Sequence, residues 1–183
     1  GGMNAMIVDA TALPEQVADD VVSSAFRSAG QRCSALRLLF VQEDVADKMV
    51  EMIEGAADEL TVGDPSLIET DIGPVIDGDQ LKMLNDHVLA MRKSQKVRFA
   101  GKAPEAGLYF APHIVELSKA GALEREIFGP VLHVVRWKAG QLDKVLDQID
   151  ATGFGLTLGV HTRIEETVRQ VAMHSMHHRG QVN

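Results

Sequence analysis

"FRSAGQRCSALRLLFVQEDVAD" (residues 26–47) holds the only cysteine of a 183-residue chain and passes from helix to turn to strand to helix. Upstream of it, Pro14 suits the first turn of a helix, and Val17, Val21, Ala25 and Phe26 carry a helical stripe. Gly30 stands where a helix C-cap is expected, so Gln31, Arg32 and Cys33 should leave the helix in a tight turn. "ALRLLFV" (35–41) then reads as a strand. Asp44 is placed to cap a second helix, with Val45, Met49, Met52, Ile53, Ala56 and Leu60 at spacings of three and four. Cys33 is therefore expected at a helix-to-strand corner.

The pattern continues outward in both directions. Ala5 to Val8 reads as a short buried strand. "VGDP" (62–65) and "DIGPVI" (71–76) are Gly/Pro punctuation around a loop. Leu81, Leu84, Val88 and Met91 mark a third helix. Short strands are expected at 97–100, 109–115 and 131–137, a helix at 142–149 and a strand at 155–162. Thr162-x-x-Glu165 reads as a capping box opening a last helix, with Ile164, Val168, Val171 and Ala172 inward. Strands alternating with helices predict an α/β domain with a mostly parallel open sheet flanked by helices, and no linker or repeat divides residues 1–183.

Composition narrows the function. Apolar residues make up 45% and charged residues 24%, as in an ordinary globular domain. A net charge of −8 with no Lys/Arg run argues against a nucleic-acid surface or a polybasic membrane patch. No apolar run approaches the roughly 18 residues of a membrane span, and the N-terminus lacks a signal-peptide layout. A lone cysteine cannot form an internal disulfide, which fits a reducing cytoplasm. The chain opens on Gly1-Gly2 and closes on Val182-Asn183, which reads as the start of another strand, so a fragment of something longer is expected.

Cys33 has small or polar neighbours in Gly30, Gln31, Arg32 and Ser34, whereas a structural cysteine more often sits among aliphatics. Arg32 would favour the nucleophilic thiolate. This local chemistry leaves both a reactive thiol and a small core residue open. The wider pattern is more specific. "FRSAGQRCSALRLLFVQEDVAD" resembles the cysteine signature of the aldehyde dehydrogenase superfamily, with G-Q-x-C entering a strand that runs into V-Q-E. Gly1-Gly2 with "MNAMIVD" is similar to the end of the family's E-x-G-G motif. "VGDP…TDIGPVID", "EREIFGPVLHVVRW" and "ATGFGLTLGVHTRIEETV" resemble further family segments in the same order. "GQRCSALR", "GPVID" and "GLTLGVHTRIEET" look most like the 1-pyrroline-5-carboxylate dehydrogenase half of bifunctional proline utilization A enzymes.

That resemblance implies oxidation of an aldehyde with NAD through covalent catalysis. Cys33 would attack the carbonyl to give a thiohemiacetal, hydride would pass to the nicotinamide, and the thioester would be hydrolysed. The alkoxide would be met by the cysteine's backbone N–H and an asparagine amide. The implied substrate is L-glutamate γ-semialdehyde and the product L-glutamate. Glu126 matches the glutamate that accepts hydrogen bonds from the nicotinamide ribose, and Phe128 would pack near the nicotinamide ring. Ser34 matches a serine that binds the substrate α-carboxylate, although a turn hydroxyl bonding local backbone accounts for it equally. Arg32 flanks the substrate site. Phe26 is a candidate wall of the aldehyde pocket, against a core-packing role on its stripe. FAD is implied only if a proline dehydrogenase domain belongs to the full-length protein.

Several family parts fall outside this chain. The general-base glutamate would precede Gly1, the oxyanion asparagine and the NAD-binding domain lie further upstream, and the carboxylate-gripping loop lies after Asn183. The isolated chain is accordingly expected to show no turnover, with oligomers expected of the full-length form. "MHSMHHRGQVN" (173–183) departs from the family's Gly-Asn turn. His174 and His178 share a helix face at i, i+4 and could hold zinc weakly, while a solvated face including His177 is the simpler reading. No metal site is expected. His133, in an apolar strand, reads as a hydrogen-bonded core residue. Two alternatives stay open: the same chemistry on another semialdehyde, and a non-catalytic aldehyde-dehydrogenase-like module.

Overall fold

The computed structural model describes residues 2–153 and 157–179, with side chains described as far as Ser175. Its first strand, β1 (Asn4–Val8), is buried at all five positions and runs parallel to β2 (Leu36–Gln42). Parallel strands need a crossover, here α1 (Pro14–Phe26) with a 3-10 turn at Arg27–Gly30. The chain continues through α2 (Glu43–Asp58), α3 (Gly78–Ser94), β3 (Lys96–Ala100) and β4 (His113–Leu117). It ends with β5 (Val131–Trp137), α4 (Leu142–Ala151), β6 (Leu158–His161) and α5 (Glu165–Arg179). The sheet order is β3-β4-β5-β2-β1-β6, parallel throughout except for the β3–β4 pair. This is the expected mixed α/β fold with a mostly parallel sheet.

β2 and β5 lie at the centre and read as nearly continuous apolar runs, as strands covered on both faces must. Two side chains of β5 show the layering. His133 reaches Nε2 of His87 on α3, whereas Arg136, of opposite parity, bonds Asp47 on α2. Successive strand residues point to opposite faces, so α2 and α3 sandwich the sheet. α1 packs beside α2.

The differences from the sequence reading lie at element ends. Asp44 does not cap α2: Gln42 occupies the N-cap position, and its amide donates to Asp44 Oδ2 at 2.6 Å. Met52 of the α2 stripe is exposed. The strand expected from Tyr109 begins at His113, because Pro112 lacks an N–H for the ladder. Thr162 forms no capping box. Its hydroxyl accepts from Ile164 N at 3.0 Å and donates to Asp9 Oδ2, so α5 starts only at Glu165. Of the four positions expected inward on the last helix, Val171 is buried while Ile164, which precedes α5, and Val168 and Ala172 are exposed. The start of the strand expected at 155–162 and the extended segment expected at Val182-Asn183 lie outside the described residues. Among the described residues no helix is long and apolar enough to cross a membrane.

Candidate active site

β2 and β5 are parallel neighbours, so the loops that feed them arrive at the same end of the sheet. One is the Cys33 turn. The other is Glu126–Pro130, about ninety residues later. They press together closely: a Cβ added at Gly30 would lie 2.1 Å from Gly129 O. Gly129 is equally confined, since a Cβ there would meet Leu84 Cδ2 at 2.3 Å. Gly30 is needed for the approach of one backbone to another, and Gly129 makes room for the Leu84 side chain.

Gly30 does not act as a simple helix cap. α1 ends at Phe26, and Ser28 (φ 57°), Ala29 (φ 53°) and Gly30 (φ 65°) follow in the left-handed region. For Ser28 and Ala29 that conformation costs roughly 1 kcal/mol or more each. The surroundings hold it. Gln31 N–H donates to Ser28 O at 3.0 Å, and the Gln31 side-chain amide reaches the "DIGPVI" loop. There Gln31 Nε2 donates to Pro74 O at 3.3 Å and Oε1 accepts from Ile76 N at 2.8 Å. Ala35 N–H closes the turn onto Arg32 O at 3.1 Å. From β1, the buried Asn4 amide donates to Cys33 O at 2.7 Å and Ala35 O at 3.0 Å. Cys33, Arg32 and Ser34 are all exposed on this turn.

Arg37 joins the turn to the Glu126 loop. It has no solvent exposure, yet its Nη1 donates to Gly129 O at 3.1 Å and its Nη2 to Arg32 O at 3.2 Å. The guanidinium carbon lies 5.2 Å from the Phe128 ring centroid, within cation–π range. Burial lowers the Arg37 pKa to about 10, with Glu126 opposing the shift, so the group remains cationic at neutral pH. Glu126 Oε1 lies 3.9 Å from Arg37 Nη2, an ion pair too long for a hydrogen bond. That oxygen is buried and has no hydrogen-bond partner among the described residues, while the side chain as a whole is 28% exposed. The Phe128 carbonyl is held by the Gln80 amide of α3.

Phe26 is fully enclosed on the inward stripe of α1. The cavity of about 360 Å³ that it borders is walled by Asp19, Arg27, Glu59 and Leu60 among others, and Cys33 is not in that wall. Phe26 is therefore placed as a core residue. A larger cavity of about 700 Å³, bordered by Met3, Leu123, Glu124 and Gln148, also excludes Cys33. The thiol lies on an open face of the described residues. His133 is the satisfied core residue expected: it is fully buried, with Nδ1 3.2 Å from Arg37 O. His174 bonds Asp150 at 2.9 Å, and His177 and His178 have side chains outside the described ones. Among the described residues no cluster of three or more metal-ligating side chains occurs.

No motif in the sequence assigns a role to the side chains of Arg37, Asn4 and Gln31. Arg37 and Asn4 had a visible signal, each being the one polar residue inside an otherwise apolar strand run.

The sequence model of the aldehyde dehydrogenase family matches residues 1–183. This chain belongs to the aldehyde dehydrogenase family. Bifunctional protein PutA of Escherichia coli is 49% identical over 179 residues, covering 93% of this chain and 14% of that protein. A crystal structure of a Bradyrhizobium japonicum proline utilization A mutant superposes with a TM-score of 0.93 at 60% identity, covering 95% of this chain and 18% of the other. A Thermus 1-pyrroline-5-carboxylate dehydrogenase with bound NAD superposes at 0.86 and 32% identity, covering 94% of this chain and 33% of the other. This member of the family thus spans about one seventh of the E. coli relative.

Proposed function

We propose that this chain is the nucleophile-bearing part of an NAD-dependent dehydrogenase that oxidises L-glutamate γ-semialdehyde to L-glutamate in proline catabolism. The observation that carries the reading is the meeting of the exposed Cys33 turn with the Glu126–Phe128 loop, clamped through Arg37 and Gly30. The names of the PutA and 1-pyrroline-5-carboxylate dehydrogenase relatives supply the substrate class.

The chemistry follows from the groups present. Deprotonated Cys33 Sγ adds to the aldehyde carbon, forming a C–S bond and an alkoxide, for which the Cys33 backbone N–H is a donor. Asn4 anchors the Cys33 carbonyl, so the thiol is presented from a fixed peptide. Glu126 fits a nicotinamide ribose: one carboxylate oxygen is buried toward the Arg37 cation, and the 28% of the side chain that is exposed leaves the carboxylate open to accept from a vicinal diol. Phe128 would offer an apolar wall to the nicotinamide. Bound there, NAD would accept the hydride that leaves the tetrahedral carbon. The resulting Cys33 thioester is then cleaved by water. Ser34 and Arg32 are both exposed beside the thiol, which supports a role for them in binding the substrate. The general base, the pyrophosphate cradle and any FAD-bearing or oligomerising segment would belong to the rest of the protein.

The test uses the intact protein that carries this domain, with NADH formation followed on glutamate semialdehyde and on succinate semialdehyde. Cys33→Ala should abolish turnover, and Glu126→Gln should raise KM for NAD more than KM for aldehyde. Full activity in Cys33→Ala would sink the reading, and a preference for succinate semialdehyde would reassign the substrate.

A further inference from the structure

A guanidinium with no solvent exposure, in a strand that is otherwise apolar as far as Val41, is a poor choice for stability. An aliphatic side chain of similar volume would fill the space without desolvating a charge. Arg37 is not even fully satisfied, since its Nε has no hydrogen-bond partner among the described residues. What it does have is reach in two directions. One arm ends on the carbonyl immediately before Cys33, that of Arg32, and the other on the carbonyl immediately after Phe128, that of Gly129. Between the arms the cation faces the Phe128 ring and the Glu126 carboxylate. Behind it the backbone is pinned, because His133 Nδ1–H donates to Arg37 O.

We propose that Arg37 is a positioning residue that sets the separation between the Cys33 thiol and the Glu126–Phe128 loop. This rests on the reading of Cys33 as nucleophile and Glu126 as the ribose-holding group. The planar fork suits the task, because its two nitrogens diverge at a fixed angle and hold both carbonyls at once. A lysine at the same place keeps the charge near Glu126 but ends in one point, so it tethers one loop and releases the other. Loss of the tether frees the strained Ser28–Gly30 turn to drift, and small displacements at a reacting centre are costly to rate.

The experiment compares wild type, Arg37→Lys and Arg37→Met in the intact protein. Amide hydrogen exchange is read in peptides covering 28–35 and 126–131, NAD affinity by calorimetry, and single-turnover NADH formation per alkylatable Cys33. Normalising to the thiol removes any loss that is only unfolding. Both loops should exchange faster in Arg37→Met and one of the two in Arg37→Lys, while peptides from β1 and the later part of β5 stay unchanged. The hydride step per thiol should fall about tenfold or more in Arg37→Met, with a smaller fall in Arg37→Lys. Kinetics per thiol equal to wild type would overturn the proposal, whether or not the loops loosen or the melting temperature drops. If Arg37→Met does not fold, Arg37→Lys decides alone. A wild type with no NAD-dependent aldehyde oxidation would refute the dehydrogenase reading instead, and unchanged loop exchange would still refute the tether.

Discussion

His87 and His133 meet Nε2 to Nε2 at 2.8 Å between α3 and β5, and their tautomers follow from one further contact. His133 Nδ1 faces the Arg37 carbonyl, which can only accept, so His133 carries its proton on Nδ1. Its Nε2 is then the acceptor, and His87 must donate. Both rings are neutral. The chain of donors runs from a ring only 8% exposed to the backbone of the residue that clamps the Cys33 turn.

Acid should therefore destabilise this core. Burial lowers the pKa of His87 to about 4, and burial with its neighbour's charge lowers that of His133 to about 3. The unfolded chain takes up these protons near pH 6.5, before the folded one does, so the contribution is complete above pH 6.5 and declines toward pH 4 and then pH 3. Denaturant titrations should show a loss on the order of a few kcal/mol between pH 7 and pH 4. His87→Leu/His133→Leu should flatten that slope. An unchanged acid limb in the double variant would show that other groups cause it.

Gly30→Ala and Gly129→Ala should behave differently despite similar crowding. The new Cβ at position 30 meets backbone, Gly129 O at 2.1 Å, at φ +65°. At position 129 it meets the flexible end of Leu84. Each should destabilise by about 1–3 kcal/mol or more. Leu84→Ala should absorb the Gly129→Ala clash, so that the pair is no less stable than Leu84→Ala alone. It should give Gly30→Ala no relief. Equal rescue of both would contradict the geometry.

Asn4→Ala leaves the Cys33 and Ala35 carbonyls without their donor and should cost about 2–3 kcal/mol. Asn4→Asp sets a carboxylate against the same two oxygens. It should be worse than alanine at pH 8 and recover toward pH 5 as the carboxyl gains a proton to donate. Thermal melts at both pH values check this. An aspartate variant insensitive to pH would place the amide elsewhere.

Gln31→Ala should release the "DIGPVI" loop from the Cys33 turn. With two bonds lost at a partly exposed site, the expected cost is about 1 kcal/mol, and cleavage by a protease at residues 72–77 should accelerate. Unchanged cleavage there would mean the clamp contributes little.

The elements themselves were written in short-range pattern. The stripe of α1, the apolar runs of β2 and β5, and the helix–strand alternation determine the layers, because burial on one stripe or on both faces is a property of neighbouring residues. The motifs around Cys33, Glu126 and Phe128 are likewise short-range, and they are what singles out these three residues for the proposed site. Element ends were less legible. Asp44 and Thr162 are caps by composition, but each side chain is occupied by a partner, Gln42 and Asp9, and Asp9 lies 153 residues from Thr162. Ile164 and Val168 keep the period of an inward face, and both are nonetheless exposed.

The sequence by itself determined the order of the elements and the family motifs at their junctions, from which Cys33, Glu126 and Phe128 are proposed as site residues. Only the tertiary structure decided that Arg37, Asn4 and Gln31 brace the Cys33 turn, because their bonds join segments far apart in the chain. A buried cation has meaning only through what lies at the ends of its arms, and parallel pairing of β2 with β5 is what puts Arg32 and Gly129 there.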